Sequence, residues 1–180
     1  MSQRIFVAIN LPGEIKEKLL SYQKYFPLPK ERYTKKENLH LTLFFLGNCQ
    51  KEEVEKLKNI VSKVALLFRP FQIKIKEIVL GPIQGKPRMV WAIVERSDEL
   101  LSLYKELKNL LLKDQSFSWR LEKREYFPHV TLARFKKERL SWVKKIEINL
   151  VFEVKSIDIM ESHLKRTGAE YTLVQKIPLS

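Results

Sequence analysis

The sequence predicts an α+β fold: a single unit over residues 1–180 with two pseudo-two-fold-related, mainly antiparallel sheet lobes, outer helices and a central cleft. Three observations predict it. Segments alternating with period two interleave with segments of helical spacing. No Gly/Ser-rich or low-complexity tract divides the chain, and a His-x-Thr-x motif occurs twice, about half a chain apart.

Taken in order, Arg4 to Asn10 (RIFVAIN) is rich in β-branched and aromatic residues and reads as a strand punctuated by Leu11-Pro12-Gly13. Pro12 and Glu14 suit a first helical turn, with Ile15, Leu19, Leu20 and Tyr22 as the apolar stripe of a helix ending before Pro27. Leu39 to Leu46 is a strand, stopped by Gly47-Asn48. Lys51 to Phe68 then places Val54, Leu57, Ile60, Val61 and Val64 at helical spacing. Phe71, Ile73 and Ile75 alternate with Gln72, Lys74 and Lys76 in a half-buried strand, Phe71 to Leu80. Beyond the Gly81-Pro82 turn, Met89 to Val94 is its neighbour. Ser97 caps a helix with Leu100, Leu101, Tyr104, Leu107 and Leu111 inward, and Asp98 and Glu99 complement its positive end. His129 to Phe135, one or two strands within Ile146 to Met160, and Glu170 to Ile177 complete the pattern.

Composition bounds the function. A chain of 180 residues that is 44% hydrophobic can bury a core, which excludes disorder as its main state. The apolar stretch Ile5 to Ile9 is too short for a signal sequence, and no long apolar run offers a membrane span. With the lone Cys49, this leads to the expectation of a cytoplasmic, reducing location, no membrane partner and a monomer. The net charge of +13 favours a polyanionic partner such as RNA, although ribosome-associated, membrane-surface and Lys-rich proteins share that balance.

Chemistry concentrates in the repeat. His40-Leu41-Thr42-Leu43 and His129-Val130-Thr131-Leu132 stand 89 positions apart. With 5 Thr in 180 residues, a His finds Thr two places on about once in 36, and two of three His do so by chance roughly once in 400. On a strand, His40 and Thr42 share one face while Leu41 and Leu43 take the other; His129, Thr131, Val130 and Leu132 do the same. Each segment buries two aliphatics and presents an imidazole beside a hydroxyl. Imidazole titrates near 6.5, so one neutral ring can accept a proton from an attacking water while a protonated one donates to the departing oxygen. The hydroxyls can donate to the non-bridging oxygens of a phosphoryl group. This chemistry requires no metal or other cofactor, and two strand histidines lack the clustered set a metal site needs.

These paired motifs resemble those of the two-histidine (2H) phosphoesterase superfamily. More specifically, the chain resembles the RNA 2′,3′-cyclic phosphodiesterases, also called 2′-5′ RNA ligases. Arg4 to Ile9 with Leu11-Pro12, His40 to Gly47, Arg88 to Trp91, Phe127 to Arg134, and Ser162, Leu164, Gly168 and Tyr171 carry the resemblance in order. Asn10 departs from it, standing where Asp is expected, and as it lies outside the His-Thr pairs it bears on turn structure. The resemblance implies a bilobal fold and hydrolysis of a terminal 2′,3′-cyclic phosphate to a 2′-phosphomonoester. It implies His40 as general acid and His129 as general base, and ATP-independent 2′-5′ joining of RNA ends such as tRNA halves. It further implies a phosphate-binding role for Arg134 and a base-stacking role for Phe6.

Each reading has a plainer competitor. Arg134 lies five residues past His129, an odd offset that puts it on the opposite face of a regular strand unless a bulge intervenes. Phe6, Trp91 and Tyr126 are at home in a core, His163 on a surface. Gly81 to Pro87 lacks the spacing of a phosphate loop, although Lys86 and Arg88 could touch RNA. The basic runs Lys35-Lys36, Arg120 to Arg124 and Lys136 to Lys145 suit solvated faces, or a backbone track if they flank the cleft. The competing functions are a 2H phosphodiesterase for a small cyclic nucleotide or an RNA 3′ end, and a non-catalytic RNA or nucleotide binder.

Overall fold

The structure, a computed structural model, describes residues 2–28, 33–83, 85–114, 125–135, 145–165 and 168–180. The run Arg120 to Arg124, positions 136–144 and Gln84 fall outside the described residues. The strands are β1 (Gln3–Asn10), β2 (His40–Cys49), β3 (Phe71–Gly81), β4 (Met89–Val94), β5 (His129–Arg134), β6 (Ile146–Val154), β7 (Ser156–Lys165) and β8 (Gly168–Pro178). The helices are α1 (Gly13–Ser21), α2 (Lys51–Ala65) and α3 (Asp98–Lys113), with short 3-10 turns at Tyr22–Tyr25 and Lys36–Asn38. Every element read from the sequence is present. The stretch from Ile146 onward resolves into two strands broken at Lys155.

The strands form one sheet in the order β6-β3-β4-β5-β2-β1-β7-β8, with antiparallel neighbours throughout. It divides naturally in the middle, because β2 and β5 meet through a single pair, Leu41 with Val130. Past that pair the chain at Tyr33 and Thr34 takes the edge of β5. Tyr33 bridges Ala133, and the Thr34 amide donates to the Leu132 carbonyl at 2.8 Å. The expected lobes are therefore two four-stranded halves of one continuous sheet.

Alternation fixes which face each half presents. Leu41, Leu43, Val130 and Leu132 are buried in a core shared with Ile15 and Leu19 of α1, Val54 and Leu57 of α2, and Leu100 and Leu107 of α3. Full burial of such a side chain stabilises by about 1.5–3 kcal/mol, so a slip of one residue, which would bury the histidines and expose the aliphatics, is disfavoured. The helices form where the sequence places them. Gln50 and Glu53 make a capping box on α2, and the Ser97 hydroxyl accepts from the Leu100 amide at the start of α3. On α3 the inward positions are Leu100, Leu103, Leu107 and Leu111, with Leu101 only partly buried. No helix among the described residues is long and apolar enough to cross a membrane.

Candidate active site

His40 and His129 open β2 and β5, the two strands that meet at the centre of the sheet, so both rings project from the face opposite the core shared with α1, α2 and α3. Each is anchored by the same local device. The Nδ1–H of His40 donates to the Asn38 carbonyl at 2.7 Å, and that of His129 to the Phe127 carbonyl at 2.8 Å. A carbonyl can only accept, which fixes the neutral tautomer and leaves Nε2 as the basic nitrogen in both rings. His40 Nε2 accepts from the Thr42 hydroxyl at 3.0 Å. The carbonyl beneath His40 is itself held, since Asn38 is buried and its side-chain amide donates to the Ala169 carbonyl of β8 at 2.8 Å.

Both histidines, both threonines, Phe6 and Arg134 line one cleft together with Thr34, Asn38, Phe45 and Tyr171. The cleft has a volume of about 130 Å³. Every site residue expected from the sequence is brought to it. Arg134 arrives by a bulge: β4 pairs Trp91 with Thr131 but Val90 with Ala133, so Leu132 is the extra residue and the parity of the strand changes. The same irregularity occurs in β2, where Ala8 pairs with Thr42 but Val7 with Phe44, leaving Leu43 over. Phe45, five residues past His40, therefore occupies the place that Arg134 holds past His129. Extending the repeat by two residues would have disclosed Phe45 in the sequence. Thr34, Asn38 and Tyr171 come from a loop, a 3-10 turn and β8, and no periodicity announces them.

Phe6 has the burial of a core residue, at 2% exposed, and is also among the residues that line the cleft. It is buried with Ala8 and Met160 in a small apolar cluster on the cleft side, and its ring lies 4.9 Å from those of His40 and Tyr171. Asn10 closes β1, as the reading of Arg4 to Asn10 has it, but its side chain bears on the neighbourhood of the site and not on the turn: it stands directly opposite His40, and its amide donates to buried Asp158 at 2.7 Å. Trp91 stacks on His129 with ring centroids 3.9 Å apart. His163 is not among the residues lining the cleft and is exposed on β7 beside Thr172. Cys49 is buried and its thiol pushed up to about 12, chiefly by desolvation, which leaves it an inert core residue.

The electrostatics favour neutral imidazoles and an anionic guest. Desolvation lowers His40 to about 4, opposed by its bond to the Asn38 carbonyl and reinforced by the positive fields of Lys16 and Arg134. His129 is also lowered, by desolvation first, with Arg134 adding to it. One N–H of Arg134 rests on the Met89 sulfur at 3.2 Å, a weak acceptor that a phosphate oxygen would outcompete. Among the described residues no group of three or more His, Cys, Asp or Glu side chains is placed to hold a metal ion. A site of this kind can accept a proton at one Nε2, deliver one from the other, and hold charge on Arg134 and the two hydroxyls between them.

The chain is similar to known proteins along its length. The family described as LigT like Phosphoesterase matches residues 9–91. An RNA 2′,3′-cyclic phosphodiesterase of Methanocaldococcus jannaschii is 30% identical over 181 aligned positions, covering 96% of this chain and 99% of that protein. A crystal structure of a Thermus thermophilus protein superposes with a TM-score of 0.86 at 28% identity, covering 98% of this chain and 97% of the other. Escherichia coli LigT complexed with 3′-AMP gives a TM-score of 0.83 at 25% identity, covering 100% and 99%.

Proposed function

Because the chain belongs to the LigT-like phosphoesterases of the two-histidine superfamily, we propose that it opens 2′,3′-cyclic phosphates at RNA ends to 2′-phosphomonoesters by acid–base catalysis between His40 and His129. Water attacks phosphorus and passes its proton to Nε2 of His129. The bond to the 3′-oxygen breaks as that oxygen takes a proton from Nε2 of His40, which leaves a 3′-hydroxyl and a 2′-phosphate. In-line displacement needs acid and base on opposite sides of phosphorus, and two ring-bearing strands flanking one cleft suit that demand. Arg134 and the hydroxyls of Thr42 and Thr131 take the non-bridging oxygens, where charge grows. With an RNA 5′-hydroxyl in place of water, the same displacement, again releasing the 3′-oxygen, would join ends such as those of tRNA halves through a 2′-5′ bond.

The observation that carries this reading is the convergence of both His-Thr pairs and Arg134 on one cleft. Since burial holds both rings neutral near pH 7, the acid gains its proton as the phosphate anion enters and offsets the fields of Lys16 and Arg134. The test is incubation of an RNA ending in 2′,3′-cyclic phosphate with the protein in EDTA, followed by location of the phosphate in the product. A 2′-phosphate is expected; a 3′-phosphate would reverse the leaving group, and unchanged RNA would reject the reaction. A diester whose leaving group needs no proton, such as a p-nitrophenyl ester, separates the two roles, because it restores turnover to an acid-less variant and not to a base-less one.

A further inference from the structure

The two imidazoles share their backbone anchoring but not their ring environment. His40 has Phe6 tilted by 38° at 4.9 Å and Tyr171 edge-on at 5.2 Å. His129 has the face of Trp91 at 3.9 Å and 27°. In the register of the two halves, Trp91 opposite Thr131 corresponds to Ala8 opposite Thr42, so among the described residues His129 carries an indole and His40 does not. Trp91 is 8% exposed, and its buried Nε1–H has no acceptor among the described residues. Shape fixes its placement instead. A Cβ at Gly81 would fall 2.2 Å from Cδ2 of the indole and 2.5 Å from Cε3, so the ring lies directly against backbone that only glycine leaves open.

An aromatic face is the negative end of a quadrupole and attracts a cation more than a neutral ring. The stack therefore opposes the influences that keep His129 unprotonated. Among the described residues, the charged and titratable groups whose fields reach that ring are Arg134 on its own strand and His40 across the junction of the halves. Resting on the reading of His129 as proton acceptor, we propose that Trp91 is a positioning residue for the reaction: seated on Gly81, it sets the plane of the His129 ring and stabilises the imidazolium formed as water gives up its proton. An interaction that strengthens as charge develops accelerates the step, whereas one equal in both states only tightens binding.

The experiment is a histidine NMR titration of the full-length protein, with His40 as internal reference, alongside steady-state hydrolysis of a cyclic-phosphate-ended RNA. Trp91→Leu should lower the His129 midpoint by about half to one pH unit, leave His40 in place, and lower kcat about tenfold with KM little changed. Trp91→Phe keeps an aromatic face and should retain most of both. Gly81→Ala keeps the indole but displaces it, and should move His129 in the direction that Trp91→Leu does. An unmoved His129 midpoint in folded Trp91→Leu would overturn the proposal, as would equal losses in the Phe and Leu variants. Should Trp91→Leu not fold, the Phe and Gly81→Ala variants decide. The titration reads the stack without turnover, so a parent protein inert toward the cyclic phosphate would sink the reaction assigned above and leave the stack to be judged on its own midpoint.

Discussion

The half of the sheet around β1 and β2 and the half around β4 and β5 are built alike. Each sets a His-x-Thr segment against an antiparallel neighbour and carries a bulge one residue past the Thr, which turns the residue five beyond the His into the cleft. What stands at those matched positions differs. One half offers Phe45 and a histidine among Phe6 and Tyr171, and the other offers Arg134 and a histidine on Trp91. The shared backbone brings two proton carriers to one space. The unshared side chains give that space a direction, with the cationic group on one side and the aromatic rings concentrated on the other.

The sharpest way to break the comparison is to remove one carrier at a time. His40→Ala and His129→Ala should each lower turnover of a cyclic-phosphate end by about two to four orders of magnitude, measured as initial rates on purified, folded protein. Near-parental hydrolysis by either would mean that the matched halves do not act as a pair. Next in size is the residue that has no counterpart. Arg134→Ala should lower kcat/KM by about 10- to 100-fold, the value of a charge-assisted hydrogen bond to an anion. Arg134→Lys should recover only part of it, since a point charge lacks the planar fork. Full recovery with Lys would reduce Arg134 to a source of field.

Much of this pairing was legible in the sequence, and the reason is local. Period-two alternation puts His40 with Thr42 and His129 with Thr131 whatever the rest of the chain does, and the aliphatics between them need a core. Asn38 was not legible, because its role depends on β8 lying beside the 3-10 turn, more than a hundred residues away. Nor was the side on which Arg134 falls. Its parity turns on one unpaired residue, Leu132, and nothing about that leucine differs from Leu43 or from an ordinary core position. The part Asn10 plays was not legible for a similar reason: the sequence ends the first strand at Asn10, but that its amide meets Asp158 while its backbone faces His40 depends on a strand far along the chain.

The halves should also differ in how they respond to acid. His40 is held near 4 in the folded protein against 6.5 when exposed, so between those values the unfolded chain binds more protons than the folded one. Stability is then full above about pH 6.5 and falls as the pH drops through 4, by about 3 kcal/mol for this residue. Urea unfolding of the parent and of His40→Gln at pH 7 and pH 4 should show the parent losing more, by about that amount. His129→Gln should remove a smaller part of the pH dependence, in keeping with its shallower burial. Equal losses in the parent and His40→Gln would show that His40 titrates normally in the fold.

The smallest effect concerns the line where the halves join. With only Leu41 and Val130 laddered there, the Thr42 carbonyl accepts from Tyr126 instead, at 3.2 Å. Tyr126 lies just ahead of His129, so this bond ties the entry to one active strand to the backbone of the other. The hydroxyl is aimed by a column of rings: Tyr126 stacks on Tyr104 at 4.0 Å and 7°, and Tyr104 on Phe44 at 4.5 Å and 8°. Tyr126→Phe keeps the column and deletes only the donor, leaving the carbonyl short of a partner, and should cost about 1 kcal/mol in urea unfolding. Tyr126→Ala also removes the stacked ring and should cost about 3–5 kcal/mol. If the Phe variant matches the parent in stability, apolar packing beneath the sheet holds the halves together and the hydrogen bond merely accompanies it. If it is weakened while Phe44→Leu, which breaks the far end of the column, weakens it further than the two changes summed, the rings and the hydroxyl act as one strut across the junction.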